Sequence, residues 1–277
     1  MDVWEIMRIP GEALGRGTSV EVTIDGDPEA MAVAMAEEMA GLIRTNNEAG
    51  QSTCLIVPVG PVGQYAHLAR IIASEPLDCS RVTFINMDEF VNDRGELIDT
   101  DHPLSFRGFM NRVFYDRLPA SAGFRSHNRV FPDPRNPQRI REVIEDRGGV
   151  TACFGGIGLN GHIAFNEPRP AMGVDGFAAL GTREVTLDPA SRAHMAVNLS
   201  CSLDLIPGRA VTVGMSEILG AERLHLHANR PWQRGVVRQM LHGPVTSAFP
   251  ASYIQRHPNA QLTIAGFLAE TREVELQ

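Results

Sequence analysis

One stretch of the 277-residue chain limits its fold more than any other. An apolar run, Val150 to Phe154, opens directly into Gly155-Gly156-Ile157-Gly158-Leu159-Asn160-Gly161-His162-Ile163-Ala164-Phe165-Asn166-Glu167-Pro168. The run reads as a buried strand. Four glycines between Gly155 and Gly161 then permit positive φ and close backbone approach to a ligand. Set into that turn are His162 and Glu167, two groups that move protons, and the amide Asn160. In α/β folds, ligands sit beyond the carboxyl ends of strands, which makes this loop a candidate active site. A tight strand-to-helix turn accounts for the glycines but not for His and Glu together.

Strand and helix signals alternate along the rest of the chain. Ser19 to Ile24 alternates as a strand or lead-in. Asp27 is placed to cap a helix from Pro28 to Ile43, with Met31, Met35, Met39 and Ile43 at helical spacing. A buried strand, Thr53 to Val59, passes through Gly60-Pro61-Val62-Gly63 into a helix from about Gln64 to Ala73. Arg81 to Asn86 is a second buried strand, followed by a polar segment from Asp88 to His102. Phe106, Phe109, Met110, Val113 and Phe114 form a helical stripe that faces a core. Pro137 to Arg147 reads as an exposed helix with Pro137 in its first turn. Later strand signals cover Thr182 to Leu187, Ala210 to Val213, Arg223 to Leu226 and Gln261 to Ala265; Trp232 to Leu241 is a further helix. The pattern predicts one α/β domain over residues 1–277, a doubly wound, mainly parallel sheet flanked by helices in Rossmann-like fashion.

Composition excludes several functions. A net charge of -8 without a basic tract argues against nucleic-acid binding. No apolar stretch is long enough to span a bilayer, and MDVWEIMRIP lacks the basic flank and apolar run of a signal peptide. Cys54, Cys79, Cys153 and Cys201 are scattered without a CxxC pair, as expected of reduced thiols in the cytoplasm. All 25 basic residues are arginine. Without lysine, Schiff-base chemistry of the pyridoxal-phosphate or aldolase kind is closed to this chain.

Three strand ends converge if the sheet is parallel. At the first, Pro58 to Gly63, backbone N–H groups and a helix start suit an anion, although a plain tight turn reads equally well. At the second, Asn86-Met87-Asp88-Glu89-Phe90, adjacent carboxylates suit a general base for a proton on carbon beside a carbonyl. Taken alone, that pair reads more simply as a helix cap or solvated loop. The third is the Gly-rich loop, where His162 beside Glu167 has the parts for proton relay. His225-x-His227 is the one further pair with metal-ligand character; a polar strand face is the simpler reading.

The motifs resemble those of the glucosamine-6-phosphate deaminase/isomerase family, part of a larger group that includes 6-phosphogluconolactonases. Asn86 to Phe90 is similar to its NMDE[YF] motif, and His102-Pro103-Leu104-Ser105-Phe106-Arg107-Gly108-Phe109-Met110 to its HPxSYxxFM segment. Gly156 to Pro168 is similar to G[VI]GxDGHIAFNEP, and Val211-Thr212-Val213-Gly214-Met215 to LTVGVG. The resemblance spans roughly residues 50 to 265. It implies conversion of an aldose 2-amino sugar phosphate to the ketose with release of ammonia, without metal or redox cofactor. By position, Asp88 becomes the base between C2 and C1. His162 assists ring opening, oriented by Asn160 and Glu167, and Glu89 plays a supporting role at the substrate. The same resemblance implies a small sugar or sugar phosphate as the only ligand, and an assembly of identical subunits.

Two departures stand out. Asn160 occupies a position where many members have Asp, which removes a charge beside His162. The first loop is shorter than the family's TGGTPxxxY and lacks its hydroxyls, and Pro61 removes an N–H donor. The family lysine of GxxKA falls near Gln233. Gly60, Gly63, Gly158 and Gly161 are then expected at the substrate. The departures point either to a rebuilt anion clamp, with Arg192, Arg230 and Arg234 as substitutes and Arg183 as a further candidate, or to a substrate without a 6-phosphate. The alternatives are a sugar lactone hydrolase of the 6-phosphogluconolactonase type and a non-catalytic sugar sensor on the same fold.

Overall fold

The computed structural model describes residues 1–75 and 77–275. Its strands, in chain order, are β1 (Glu21–Asp25), β2 (Thr53–Val57), β3 (Val82–Asn86), β4 (Asp88–Val91), β5 (Arg129–Val130), β6 (Ala152–Gly156), β7 (Arg183–Thr186), β8 (Arg209–Thr212), β9 (Leu224–Ala228) and β10 (Ala260–Ala265). The α-helices are α1 (Val3–Met7), α2 (Pro28–Glu48), α3 (Gln64–Ser74), α4 (Phe106–Val113), α5 (Arg139–Asp146), α6 (Val174–Ala178), α7 (Pro189–Leu199), α8 (Met215–Leu219), α9 (Gln233–His242) and α10 (Gly266–Ala269).

Seven strands form one parallel sheet in the order β1-β10-β9-β6-β2-β3-β5. From β2 the chain winds outward through β3 and β5 on one side, then through β6, β9 and β10 on the other. The reversal lies between β2 and β6, where doubly wound sheets place their ligands. β2, β3 and β9 are buried along their whole length, as covering both faces with helices requires. Alternate residues feed two cores. Ile56, Ile85, Cys153 and Leu226 fill one face; Leu55, Val57, Phe84 and Phe154 fill the other, with Met35, Met39 and Ile43 of α2. Each large apolar side chain buried this way contributes roughly 1.5–3 kcal/mol.

Local rules set most boundaries. Asp27 caps α2, accepting from the Glu29 and Ala30 N–H groups at 2.8 and 2.9 Å. The helix runs past Ile43 to Glu48, since no Gly or Pro intervenes before Gly50. α5 is shorter than its pattern suggests and not fully exposed: Pro137 sits in the preceding turn, outside the helix, while Ile140 and Val143 are buried. β6 starts later than its apolar run and takes in Gly155 and Gly156, which pair with Leu226 and His227 of β9.

The polar segment expected from Asp88 begins instead with a buried strand. β4, β8 and β7 make a second, antiparallel sheet. Only Met87 separates β3 from β4. Its N–H bonds the Val57 carbonyl at 3.0 Å and its own carbonyl accepts from the Val213 N–H at 2.7 Å. The chain therefore passes between sheets at Met87 and delivers Asp88 to the joint. Phe90, Phe165, Val185 and Ala210 form a third apolar cluster with Phe106 of α4 against it.

Candidate active site

A cleft of about 750 Å³ opens where the strand order reverses. The β2–α3 loop, Pro58 to Gly63, walls it opposite Gly156, Ile157 and Gly158 of the Gly-rich loop. These loops approach closely because Gly156 has no side chain: a Cβ there would lie 2.4 Å from the Gly60 carbonyl oxygen. The start of α2, His194, Met195 and Asn198 of α7, and the turn from His227 to Gln233 complete the walls.

Asp88 lines the cleft as the first residue of β4. Only 8% of it is exposed, and its carboxyl has no hydrogen-bond partner among the described residues. Burial, aided by the negative charge of Glu89, pushes its pKa up to about 8. Glu89 does not line the cleft, which corrects its expected place at the substrate. Strand alternation turns it to the other side, where it accepts from Ser105 Oγ (2.8 Å), Phe106 N–H (3.1 Å) and Arg107 N–H (2.8 Å). The Arg107 guanidinium lies 3.4 Å away. Glu89 is the buried anion at the start of α4, a position the helix dipole favours.

His162 sits on the opposite wall and is held from behind. Its Nδ1 lies 2.8 Å from Asn160 Oδ1, 3.1 Å from Ser191 Oγ and 3.4 Å from Glu167 Oε2. Asn160 Nδ2 donates to Glu167 Oε2 at 2.8 Å, which turns its acceptor Oδ1 toward the ring. Nδ1 therefore carries the hydrogen, and Nε2, with no protein partner among the described residues, keeps its lone pair in the neutral ring. Burial acts to raise the Glu167 pKa. Hydrogen bonds and attraction from His162, with further bonds from Asn160 and Ser191, outweigh it and hold the carboxyl below its ordinary value. Asn160 and Glu167 thus stand behind His162, not on the cleft wall.

The glycines have distinct reasons. At Gly158 a Cβ would lie 2.1 Å from His162 Nε2, so the imidazole packs on bare backbone. Gly161, expected at the substrate, lies behind the loop instead. Its φ of +81° suits glycine, and a Cβ would meet the Phe249 ring at 2.7 Å. Gly60 and Gly63 do line the cleft. Ala164, also on the wall, has φ +52° without being glycine, a conformation held against its steric cost by the surrounding loop.

The expected arginine clamp is not assembled. Arg230 alone of the candidates lines the cleft. Arg192 binds the Ile206 carbonyl at 2.8 Å and ties α7 to the following turn. Arg234 binds the Phe267 carbonyl at 2.7 Å and Glu270 at 3.3 Å. Arg183 reaches Asn166 and the Gly181 carbonyl. Carbonyl acceptors hold all three long side chains away from the cleft lining. His225 also faces away, with Nδ1 2.6 Å from Glu38 and Nε2 2.8 Å from Thr263 Oγ1, in keeping with a polar strand face. His227 lines the cleft, and burial followed by repulsion from His225 holds it neutral. Sequence reasoning missed Ser191, His194 and Trp232 as cleft or support residues, and His227, expected on a polar strand face, lines the cleft instead. Ser191 lies outside every motif, and only the fold of α7 brings it to His162.

No family model matches the chain. Curated relatives do. It is 32% identical over 245 residues to a glucosamine-6-phosphate deaminase of Clostridium perfringens, covering 85% of this chain and 93% of the relative. The chain belongs to the glucosamine-6-phosphate deaminase family. A deaminase of that name from Hahella chejuensis is 29% identical, over 88% of this chain and 89% of its own. Among solved structures, a monomeric glucosamine-6-phosphate deaminase superposes with a TM-score of 0.78 at 25% identity, covering 91% of this chain and all of that one. A 6-phosphogluconolactonase from Thermotoga maritima reaches 0.64 at 14% identity, covering 89% and 99%; this shows a shared fold. Sequence and structure together therefore favour the deaminase branch over the lactonase one. Among the described residues no helix is long and apolar enough to cross a membrane.

Proposed function

We propose that this protein is an isomerising deaminase that converts an aldose 2-amino sugar, glucosamine 6-phosphate or a close analogue, to the ketose and ammonia. The observation that carries the reading is the presence on one cleft of a partnerless buried carboxyl, Asp88, and an imidazole with a free Nε2, His162. His162 takes the anomeric hydroxyl proton and returns one to the ring oxygen, which opens the sugar to its aldehyde. Asp88 takes the C2 proton while the ammonium on C2 gives one proton to the C1 oxygen, giving an enol at C1 with the amine on C2, and Asp88 then protonates C1. The resulting C2 iminium adds water and expels ammonia, leaving the ketone. A base with pKa near the working pH is the most effective kind, and the substrate's ammonium beside Asp88 favours the carboxylate it needs. Asn160, Ser191 and Glu167 fix the orientation of the His162 ring.

We place the reaction in the cytoplasm, where Cys54, Cys79 and Cys153, all buried free thiols, stay reduced. An assembly of identical subunits belongs to the same reading and is tested by sedimentation equilibrium. The activity is tested by measuring ammonia and ketose together. Equimolar release from an amino sugar is expected, with 6-phosphogluconolactone left intact; rapid lactone hydrolysis without ammonia would reverse the assignment.

A further inference from the structure

The cleft has an unusual charge inventory for a sugar-phosphate site. A phosphate monoester carries roughly -1.5 to -2 charge at neutral pH and calls for several charge-assisted donors when it leaves water. Among the described residues that line the cleft, Arg230 is the only arginine, and none is Ser, Thr or Tyr. Two carboxylates besides Asp88 stand on the same walls. Asp27 caps α2, and Glu29 follows it at the helix start, 2.9 Å from His67.

The backbone donors at Asn229 and Arg230, and the Gln233 amide beside them, are already engaged. The N–H groups of Asn229 and Arg230 both bond Gln233 Oε1, at 2.8 and 2.9 Å, and Gln233 Nε2 donates to the Ile157 carbonyl at 2.8 Å. Gln233 is thus a brace between the β9–α9 turn and the Gly-rich loop, with neither end of its amide left for a ligand. Across the cleft Pro61 has no N–H. Still open are the start of α3, whose Gly63 N-cap brings no side-chain bond, and Trp232 Nε1, a single neutral donor with no partner among the described residues. One helix terminus, one indole N–H and one arginine, sharing the cleft with Asp27 and Glu29, suit a neutral hydroxyl that both donates and accepts. They also suit a substrate whose only charge is a positive amine.

We propose that the cleft selects a 2-amino sugar with a free C6 hydroxyl over its 6-phosphate. The inference rests on the deaminase reading and names its substrate class: an unphosphorylated hexosamine, entering as the ammonium form. The acidic start of α2 attracts that cation and repels a phosphate dianion.

The test compares ammonia release from glucosamine and from glucosamine 6-phosphate, alongside calorimetry with 2-amino-2-deoxyglucitol and its 6-phosphate, which have no carbonyl to react. A kcat/KM at least about tenfold higher for the free sugar is expected, with KM rising as salt screens the attraction. In the exposed position 29, Glu29→Arg narrows that preference at least about threefold by reversing one wall charge. A preference for the phosphate overturns the inference and leaves the deaminase reading standing; a ratio unmoved by Glu29→Arg counts against the charged wall. Should neither sugar release ammonia, the deaminase reading falls, and calorimetry then decides: tighter binding of the free alditol supports the substrate class, and tighter binding of its phosphate, or of neither, overturns it.

Discussion

Asp88 carries its environment into two measurable quantities. Its folded pKa, raised to about 8 from 3.8, means that between these values the native carboxyl holds a proton the unfolded one has lost. Folding stability therefore falls as pH rises through that window and levels off above it. Asp88→Asn removes this dependence. Denaturant unfolding at pH 4, 6, 8 and 9 is expected to show the variant increasingly more stable than wild type up to pH 8. The gap approaches about 6 kcal/mol at most, from roughly 1.4 kcal/mol per pKa unit between 3.8 and about 8. A gap that does not grow would show that Asp88 ionises like an ordinary surface carboxyl. In the active enzyme the same group sets the acid limb of kcat/KM, expected near pH 8. The support behind His162 is equally specific. Ser191→Ala deletes a bond to Glu167 of 2.9 Å. Losing one hydrogen bond to a charged group costs about 1.5–3 kcal/mol, or roughly tenfold to a hundredfold in kcat. KM is expected to stay near its wild-type value, and steady-state kinetics on the folded variant checks the split.

At the scale of elements, the Gly-rich loop and β4 do the positioning. Gly158→Ala would drive a methyl group into the His162 ring, whose nearest atom is 2.1 Å from the Cβ position. The imidazole must swing away, and a fall in kcat of at least about a hundredfold is expected, since acid–base catalysis contributes 10²–10⁴-fold. Unchanged circular dichroism beside that loss would separate a displaced ring from an unfolded loop. Glu89→Gln leaves β4 in place but removes the buried charge at the start of α4. It is expected to destabilise the fold by about 1–3 kcal/mol. Most of the parallel strands were legible because they are short apolar or alternating runs bounded by turns, and α2 because Asp27-Pro28 announces it; β5, only Arg129–Val130, gave no such signal. β4 was not legible either, since Asp88-Glu89-Phe90-Val91 has no such run, whereas β7 falls within the strand signal from Thr182 to Leu187. β4 is a strand through tertiary pairing with β8, and Glu89 is buried only because α4 supplies its hydrogen bonds.

For the whole molecule, the winding of the sheet decides where chemistry takes place. β2 and β6 are neighbours from distant parts of the chain, and β3 runs beside β2 into a second sheet, so three loops meet at one cleft. The Gly-rich motif and Asp88 could be read as site residues because their backbone positions at strand ends suffice to place them. The arginines could not: where a long side chain goes depends on which carbonyls the fold offers it, as Arg192 and Arg234 show. Ser191 and His227 are likewise known only from the packing of α7 and β9 against the cleft. The central claim is that Asp88 and His162 together turn an aldose amino sugar into a ketose with loss of ammonia. It is tested most directly by assaying ammonia and ketose from glucosamine and glucosamine 6-phosphate with wild type and Asp88→Asn at pH 8. Wild type is expected to release both products in equal amounts from at least one sugar, and the variant to be slower by about 10²–10⁴-fold while remaining folded. Full turnover by the variant, or no ammonia from wild type with either sugar, would contradict the account.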